Sequence, residues 1–207
     1  MPNLILTYFD FPGRAEPIRV ALFIAGLPYQ DKRLKFPEYA ALKEQGVFPL
    51  GAVPTFEVDG VTMTQTAAIL RYVARVGNTT LYPNDPLAAF VVDSALDTFN
   101  DTLSHELTPS LMERDMAKKL EMRAVFKAGP MLKVLQYVEG LAQRFGKPFL
   151  GGTDLSIADL VVAQQLLQIR AGGLDGISPE DLDPYPHLNA LTDAYVNHPS
   201  IVAYQKR

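Results

Sequence analysis

Over the first third of the chain, apolar and polar positions alternate between strand-like and helix-like patterns. Asn3-Leu4-Ile5-Leu6-Thr7-Tyr8 is apolar and β-prone and runs into Pro12-Gly13, which predicts a strand and then a loop. From Arg14 to Ala25, Ile18, Ala21, Leu22 and Ala25 recur at helical spacing and Gly26 follows as a stop; Pro17 is admissible in the first turn of such a helix. Tyr29 to Leu34 reads as a second strand. Thr55-Phe56-Glu57-Val58 and Val61-Thr62-Met63 flank Asp59-Gly60, a pair that suits a tight type I′ turn and so predicts a hairpin. Ala67, Ala68, Leu70, Tyr72 and Val73 then predict a helix that ends near Gly77.

Gly77 to Asp85 is rich in Gly, Asn, Thr and Pro and marks a boundary. Asp85-Pro86 reads as a helix start, with an acidic cap and Pro at the first helical position. Beyond it strand patterns nearly vanish. Val92, Ala95, Leu96, Phe99 and Leu103 form one helical stripe. A second helix is predicted from about Lys118 to Arg144 with a kink near Gly129-Pro130, a third from Ser156, and another over Pro184 to Val196. The pattern gives a small α/β domain over 1–78, a linker over 79–85 and an all-helical domain over 86–207.

Composition narrows the chemistry. The chain has 207 residues, no cysteine and a formal charge of -4, so disulfides, thiolate metal sites and a protein-borne sulfur nucleophile are excluded, and no electrostatic reason for nucleic-acid binding exists. The N-terminus has no basic leader and no apolar run approaches the ~20 residues that span a bilayer, so a cytoplasmic protein without a membrane partner is expected. The sequons at Asn78 and Asn100 read as chance matches in that setting. His105, His187 and His198 are scattered without metal-ligand spacing, and neither a dinucleotide fingerprint nor a nucleophile elbow is present. No metal site is expected.

Three short motifs remain: Tyr8-Phe9 followed by Gly13-Arg14-Ala15-Glu16, Gly51-Ala52-Val53-Pro54 before the hairpin, and Gln65-Thr66 at the start of the next helix. Each alone is ordinary structure: a half-buried strand-end tyrosine, a turn proline, a helix cap. In this order, and with a helical second half, the chain resembles the cytosolic glutathione transferases, in particular their tyrosine-type branch nearest the sigma and pi classes, which share these motifs. The resemblance covers almost the whole chain, from Leu4 to the last helices. It implies a thioredoxin-like first domain (βαβαββα), an all-helical second domain, a homodimer, and glutathione as co-substrate with no cofactor.

The family's catalytic tyrosine falls on Tyr8. A thiol of pKa about 8.5 is mostly protonated at neutral pH, and a phenol near pKa 10 can donate a hydrogen bond to the thiolate without losing its own proton. Such a charge-assisted bond contributes ~1.5–3 kcal/mol, or roughly one to two pKa units on the sulfur. The resemblance further implies that Arg14 adds positive potential, and that Val53-Pro54 is cis and presents the Val53 backbone to the cysteinyl unit of glutathione. It also implies that Gln65 and Thr66 hold the γ-glutamyl carboxylate at a helix N-terminus, and that Lys43 and Tyr39 meet the glycyl carboxylate. Tyr39 stands where the family usually has Trp, and Ala52 where a contacting Gln is common.

Asp93, Asp97 and Asp101 recur at i, i+4 and i+8 and so share one helix face. A solvated acidic face explains such a row; the resemblance implies that Asp101 reaches across a dimer to the γ-glutamyl ammonium, and a divalent cation between subunits is an open alternative. Ser156-Ile157-Ala158-Asp159 reads as a helix capping box with Leu155 and Leu160 as its staple. An apolar electrophile is expected between the domains, against Phe9, Phe11, Thr108, Leu111, Met112 and Tyr204. The function implied is addition of the glutathione thiolate to hydrophobic electrophiles in detoxification. The alternatives within the resemblance are a glutathione-dependent isomerase of the prostaglandin D synthase kind and a non-catalytic ligandin- or crystallin-like binding protein.

Overall fold

The apolar N-terminal run is strand β1 (Leu4–Phe9) in a computed structural model that describes residues 2–77 and 79–207, and of 102–104 the backbone alone. A short 3-10 turn at Gly13–Ala15 leads into helix α1 (Glu16–Ile24), with Pro17 in its first turn. The chain then returns as β2 (Gln30–Leu34), parallel to β1, and continues through α2 (Phe36–Glu44) to the hairpin β3 (Thr55–Val58) and β4 (Val61–Thr64) and to α3 (Thr66–Val76). This is the expected βαβαββα order, and the four strands lie as β2-β1-β3-β4 with β3 antiparallel to both neighbours. Asp59 and Gly60 both have positive φ, 50° and 87°, as a type I′ turn requires.

Leu4, Leu6 and Phe56 from the sheet, Ile18 and Leu22 from α1, and Ile69, Leu70 and Val73 from α3 are buried and form the first core. Helix α2 contributes no buried residue. It is held at the periphery through Phe36 and Tyr39, whose rings meet that of Phe9.

The chain divides into two compact units between Thr79 and Thr80. In the second unit, α4 (Pro86–Asp97) starts on Asp85, whose carboxylate accepts the Ala88 N–H at 2.9 Å. A π turn at Thr98–Leu103 carries α4 on into α5 (Ser104–Met112). Val92, Ala95, Leu96 and Phe99 are buried, as their stripe predicts; the side chain of Leu103, like Asn78, lies outside the described residues.

The helix expected over Lys118 to Arg144 is resolved into α6 (Met116–Phe126) and α7 (Leu132–Phe145), joined by a π turn at Lys127–Met131 that contains Gly129 and Pro130. Pro130 has no N–H to give the preceding turn and its ring crowds that carbonyl, and a wider turn relieves both. Helix α8 (Ile157–Arg170) begins on the predicted capping box, with Leu155 and Leu160 buried beside it. Helix α9 (Pro186–Asn197) begins at Pro186 rather than Pro184, and α10 (Pro199–Gln205), which no apolar period signals, follows it. Among the described residues no helix is long and apolar enough to cross a membrane.

Candidate active site

Strand register gathers the three motifs of the first unit. Thr7 pairs with Thr55 across β1 and β3, and Thr55 pairs with Thr64 across β3 and β4. The residues that follow or precede those pairs are Tyr8 at the end of β1, Val53-Pro54 before β3, and Gln65-Thr66 after β4. All three therefore stand at one end of the sheet. The Val53-Pro54 bond is cis.

Tyr8 is 6% exposed, and its hydroxyl oxygen accepts the Arg14 N–H at 3.2 Å. That contact occupies a lone pair and leaves the phenolic proton available for another acceptor. Burial pushes the Tyr8 phenol up from its ordinary value, against the Arg14 N–H and the charges of Arg14 and Arg19, which pull it down. The phenol is thus a proton-bearing donor at neutral pH. Gly13 makes the approach possible: its φ is +45°, and a Cβ there would stand 2.6 Å from the Tyr8 oxygen and 2.9 Å from the Phe11 ring.

The loop between Tyr8 and Arg14 is clamped by Arg19, whose side chain is fully buried. Its guanidinium donates to the backbone carbonyls of Phe9, Phe11 and Pro12 at 3.2–3.5 Å. It also pairs with Asp31 at 3.0 Å and with Glu16 at 3.2 Å. Arg33 extends the network, bridging Asp31 at 2.9 Å and Asp10 at 3.1 Å. Sequence reasoning missed this clamp. The available signal was a charge at position 19 on the otherwise apolar stripe of α1, three residues from Glu16.

Gln65 carries a positive φ of 77° without being glycine, a backbone state that costs ~1–3 kcal/mol and concentrates at functional sites. It is the N-cap of α3 and makes no side-chain cap bond, so the first N–H groups of α3 are not satisfied by their own cap. Thr66 is buried in the first turn. A helix start of this kind presents N–H donors and the positive end of the dipole to an anion.

Tyr39 and Lys43 lie on α2. The Tyr39 hydroxyl donates to the Gly51 carbonyl at 2.8 Å, which commits its only proton to the loop before Val53-Pro54. Lys43 Nζ lies 5.8 Å from the centroid of the Tyr39 ring, and the Lys43 stem comes within 3.4 Å of where a Gly51 Cβ would be. Both residues therefore brace the Gly51 loop, and the exposed ammonium of Lys43 remains for a carboxylate.

The other predicted residues belong to the second unit. Asp101 is exposed, lies inside the π turn and accepts from Asn100 at 3.2 Å. The π turn changes the helical period between Asp97 and Asp101. Asp93 accepts from the Tyr82 hydroxyl at 2.7 Å. Among the described residues no three His, Cys, Asp or Glu side chains are grouped to hold a metal ion. Leu111 and Met112 are exposed at the end of α5, and Thr108 is half-buried there. Tyr204 on α10 is buried, and the Arg207 guanidinium lies 3.8 Å from its ring centroid and donates to its hydroxyl at 2.6 Å.

A separate cleft of about 370 Å³ lies on the first unit between the Leu50 loop, β4 and α3, lined by Leu50, Phe56, Met63, Ile69 and Tyr72. It is apolar and open, with Leu50 63% and Met63 41% exposed.

Both parts of the chain match models of known protein domains. The model of the glutathione S-transferase N-terminal domain matches residues 5–75, and that of the C-terminal domain matches residues 100–207. The hematopoietic prostaglandin D synthase of Gallus gallus is 34% identical over 214 residues, covering 100% of this chain and 98% of its own. Glutathione S-transferase 1 of Ascaris suum is 35% identical over 172 residues, 80% of either chain. A solved nematode-specific glutathione transferase of C. elegans matches with a TM-score of 0.82 at 27% identity, over 100% of this chain and 97% of that one.

Proposed function

The chain belongs to the glutathione S-transferase family and is a glutathione transferase, and on that footing we propose that Tyr8 activates the sulfur of glutathione by donating a hydrogen bond to the thiolate. The observation that carries this reading is the Arg14 N–H on the Tyr8 oxygen, in a pocket that keeps the phenol protonated. Tyr8 acts as a donor, not as a general base; the thiol proton leaves to solvent. The sulfur then forms the new S–C bond to an electrophilic carbon, and the electron pair displaced goes to the leaving group or, in an addition, to the carbon that takes up a proton. Holding both reactants together supplies proximity, and the phenol stabilises the attacking anion.

The tripeptide would be held by Tyr8, Arg14, Lys43, the Val53 backbone beside Pro54, and Gln65 and Thr66 at the α3 N-terminus. Tyr39 would act mainly by fixing the Gly51 loop. Asp101 of the partner subunit would meet the γ-glutamyl ammonium. Glutathione serves as co-substrate and no further cofactor is invoked. In the first unit the electrophile would rest on Phe9 and Phe11, whose rings meet that of Tyr8. The open apolar cleft at Leu50 and Met63 supports a homodimer, and the cysteine-free sequence suits the reducing cytoplasm.

The Gallus gallus relative favours a second reading, in which the same sulfur site isomerises a prostaglandin endoperoxide. Two assays separate the two readings. With glutathione and chlorodinitrobenzene, the wild type is expected to form the conjugate. Tyr8→Phe should lose about tenfold to hundredfold in rate and raise the pKa of the bound thiol by roughly one to two units. An unchanged thiol pKa in Tyr8→Phe would refute the role of the phenol. Turnover of an endoperoxide without conjugation of any electrophile would favour the isomerase.

A further inference from the structure

Helix α2 buries none of its side chains, yet it begins with an aromatic one. Phe36 is 59% exposed, and its ring lies 4.7 Å from that of Phe9 and 6.3 Å from that of Phe11, tilted by 33° and 31°. Phe9 and Phe11 are themselves parallel within 4° at 5.4 Å, and Phe11 is 42% exposed. Both meet the Tyr8 ring edge-on, at 5.3 and 5.6 Å. The three phenylalanines are therefore one continuous aromatic surface that starts at the candidate catalytic phenol and ends in solvent. Isolated exposed phenylalanines are ordinary, but a contiguous aromatic patch next to a polar reactive group is the usual form of a small-molecule site. Core packing does not account for Phe36, which is itself largely exposed.

We infer that Phe9, Phe11 and Phe36 form an aromatic platform that selects flat, electron-poor aromatic electrophiles, and that Phe36 of α2 is a specificity-determining residue of the transfer reaction. The chemistry of recognition and of reaction coincide. A phenyl face is electron-rich, so it stacks best on a ring depleted by nitro or carbonyl substituents. That same depletion is what lets a thiolate add to a ring carbon and expel chloride with the C–Cl pair. A small aliphatic enal offers neither a face to stack nor an area to cover. The inference rests on the sulfur being activated at Tyr8, since that is what places the reacting carbon beside the platform.

The test compares wild type, Phe36→Leu and Phe36→Tyr. The leucine keeps an apolar side chain and removes the ring; the tyrosine keeps a ring. The first readout is the ratio of kcat/KM for chlorodinitrobenzene to that for a short aliphatic enal. It should fall about twofold to tenfold in Phe36→Leu and return toward the wild-type ratio in Phe36→Tyr. The second readout is direct binding of S-dinitrophenylglutathione against S-hexylglutathione, which needs no turnover. Phe36→Leu should lose affinity for the aryl conjugate and little for the alkyl one. An unchanged ratio, or equal loss for both electrophiles, would overturn the platform while leaving Tyr8 untouched. Weaker binding of glutathione itself with an unchanged ratio would assign the rings to the tripeptide and overturn it as well. A wild type that conjugates nothing, yet loses its aryl preference in binding when Phe36 is replaced, would sink the transfer reading and keep the platform.

Discussion

At Gly13 the backbone turns through a φ that L side chains rarely adopt, directly beneath the Tyr8 hydroxyl. Gly13→Ala adds strain and sets a methyl group 2.6 Å from the phenolic oxygen, so the phenol must move. A displacement of about 1 Å at a reacting centre costs as much as a hundredfold in rate. Chlorodinitrobenzene turnover should fall at least tenfold in this variant while its far-UV circular dichroism stays that of the wild type. Arg19 acts on the same loop from below. Arg19→Met leaves three loop carbonyls without their donor and Asp31 without its buried partner. Asp31 retains Arg33 and is 20% exposed, so the loss should be about 2–3 kcal/mol, less than for a fully buried broken pair. Urea unfolding of the two proteins measures it. Arg19→Lys should recover part of the stability but less of the loop order, because an ammonium cannot match the planar fork.

At the scale of elements, the start of α8 carries a buried, pH-dependent group. Asp159 is fully buried, and burial raises its carboxyl from 3.8 to about 6, against the N–H groups of Leu150 and Ser156 and the Ser156 hydroxyl. A folded pKa above the unfolded one means that the favourable contribution is complete below the unfolded pKa of 3.8 and is lost as pH rises through about 6. The swing is on the order of 3 kcal/mol. Thermal midpoints of wild type and Asp159→Asn between those pH values should show the wild-type slope flattened in the variant. Ser156→Ala should cost ~1–2 kcal/mol, with the larger cost at the higher pH, where the hydroxyl donates to a charged Asp159. This cap was legible in the sequence, since Ser-x-x-Asp before an apolar run satisfies the first N–H groups of a helix and suits little else. So were β1, the Asp59-Gly60 hairpin and α1, whose periods and turn residues agree. Helix α2 was not readable from its pattern. It buries none of its residues fully and so shows no continuous apolar face, and only the family resemblance implied it. The π turns were hidden for a related reason: an extra residue per turn is a response to Pro130 or to packing, and leaves no period of its own. Tyr8, Pro54 and Thr66 could be picked from motifs. The Arg19 clamp and Phe36 could not, because their roles exist only once β1, β2 and α2 are side by side.

For the molecule as a whole, the cleft at Leu50 and Met63 leaves large apolar side chains of the first unit open to water. Surfaces of that kind are normally covered by a partner, and a second copy of this chain is the proposed occupant. Leu50→Glu introduces a carboxylate at its rim. Sedimentation equilibrium should give twice the 22.8 kDa chain mass for the wild type and the single mass for the variant. If Asp101 of the partner subunit takes part in holding glutathione, the monomeric variant should also bind the tripeptide more weakly.

Because α2 is fastened by ring contacts and by the Tyr39–Gly51 bond rather than by a buried face, its amide protons are expected to exchange through brief local openings, long before those of α1 and α3. Deuterium uptake followed by mass spectrometry should therefore divide the first unit into a slow scaffold and a fast flap. Adding glutathione should slow the flap alone if, as proposed, its carboxylate meets Lys43, which would couple closing to occupancy.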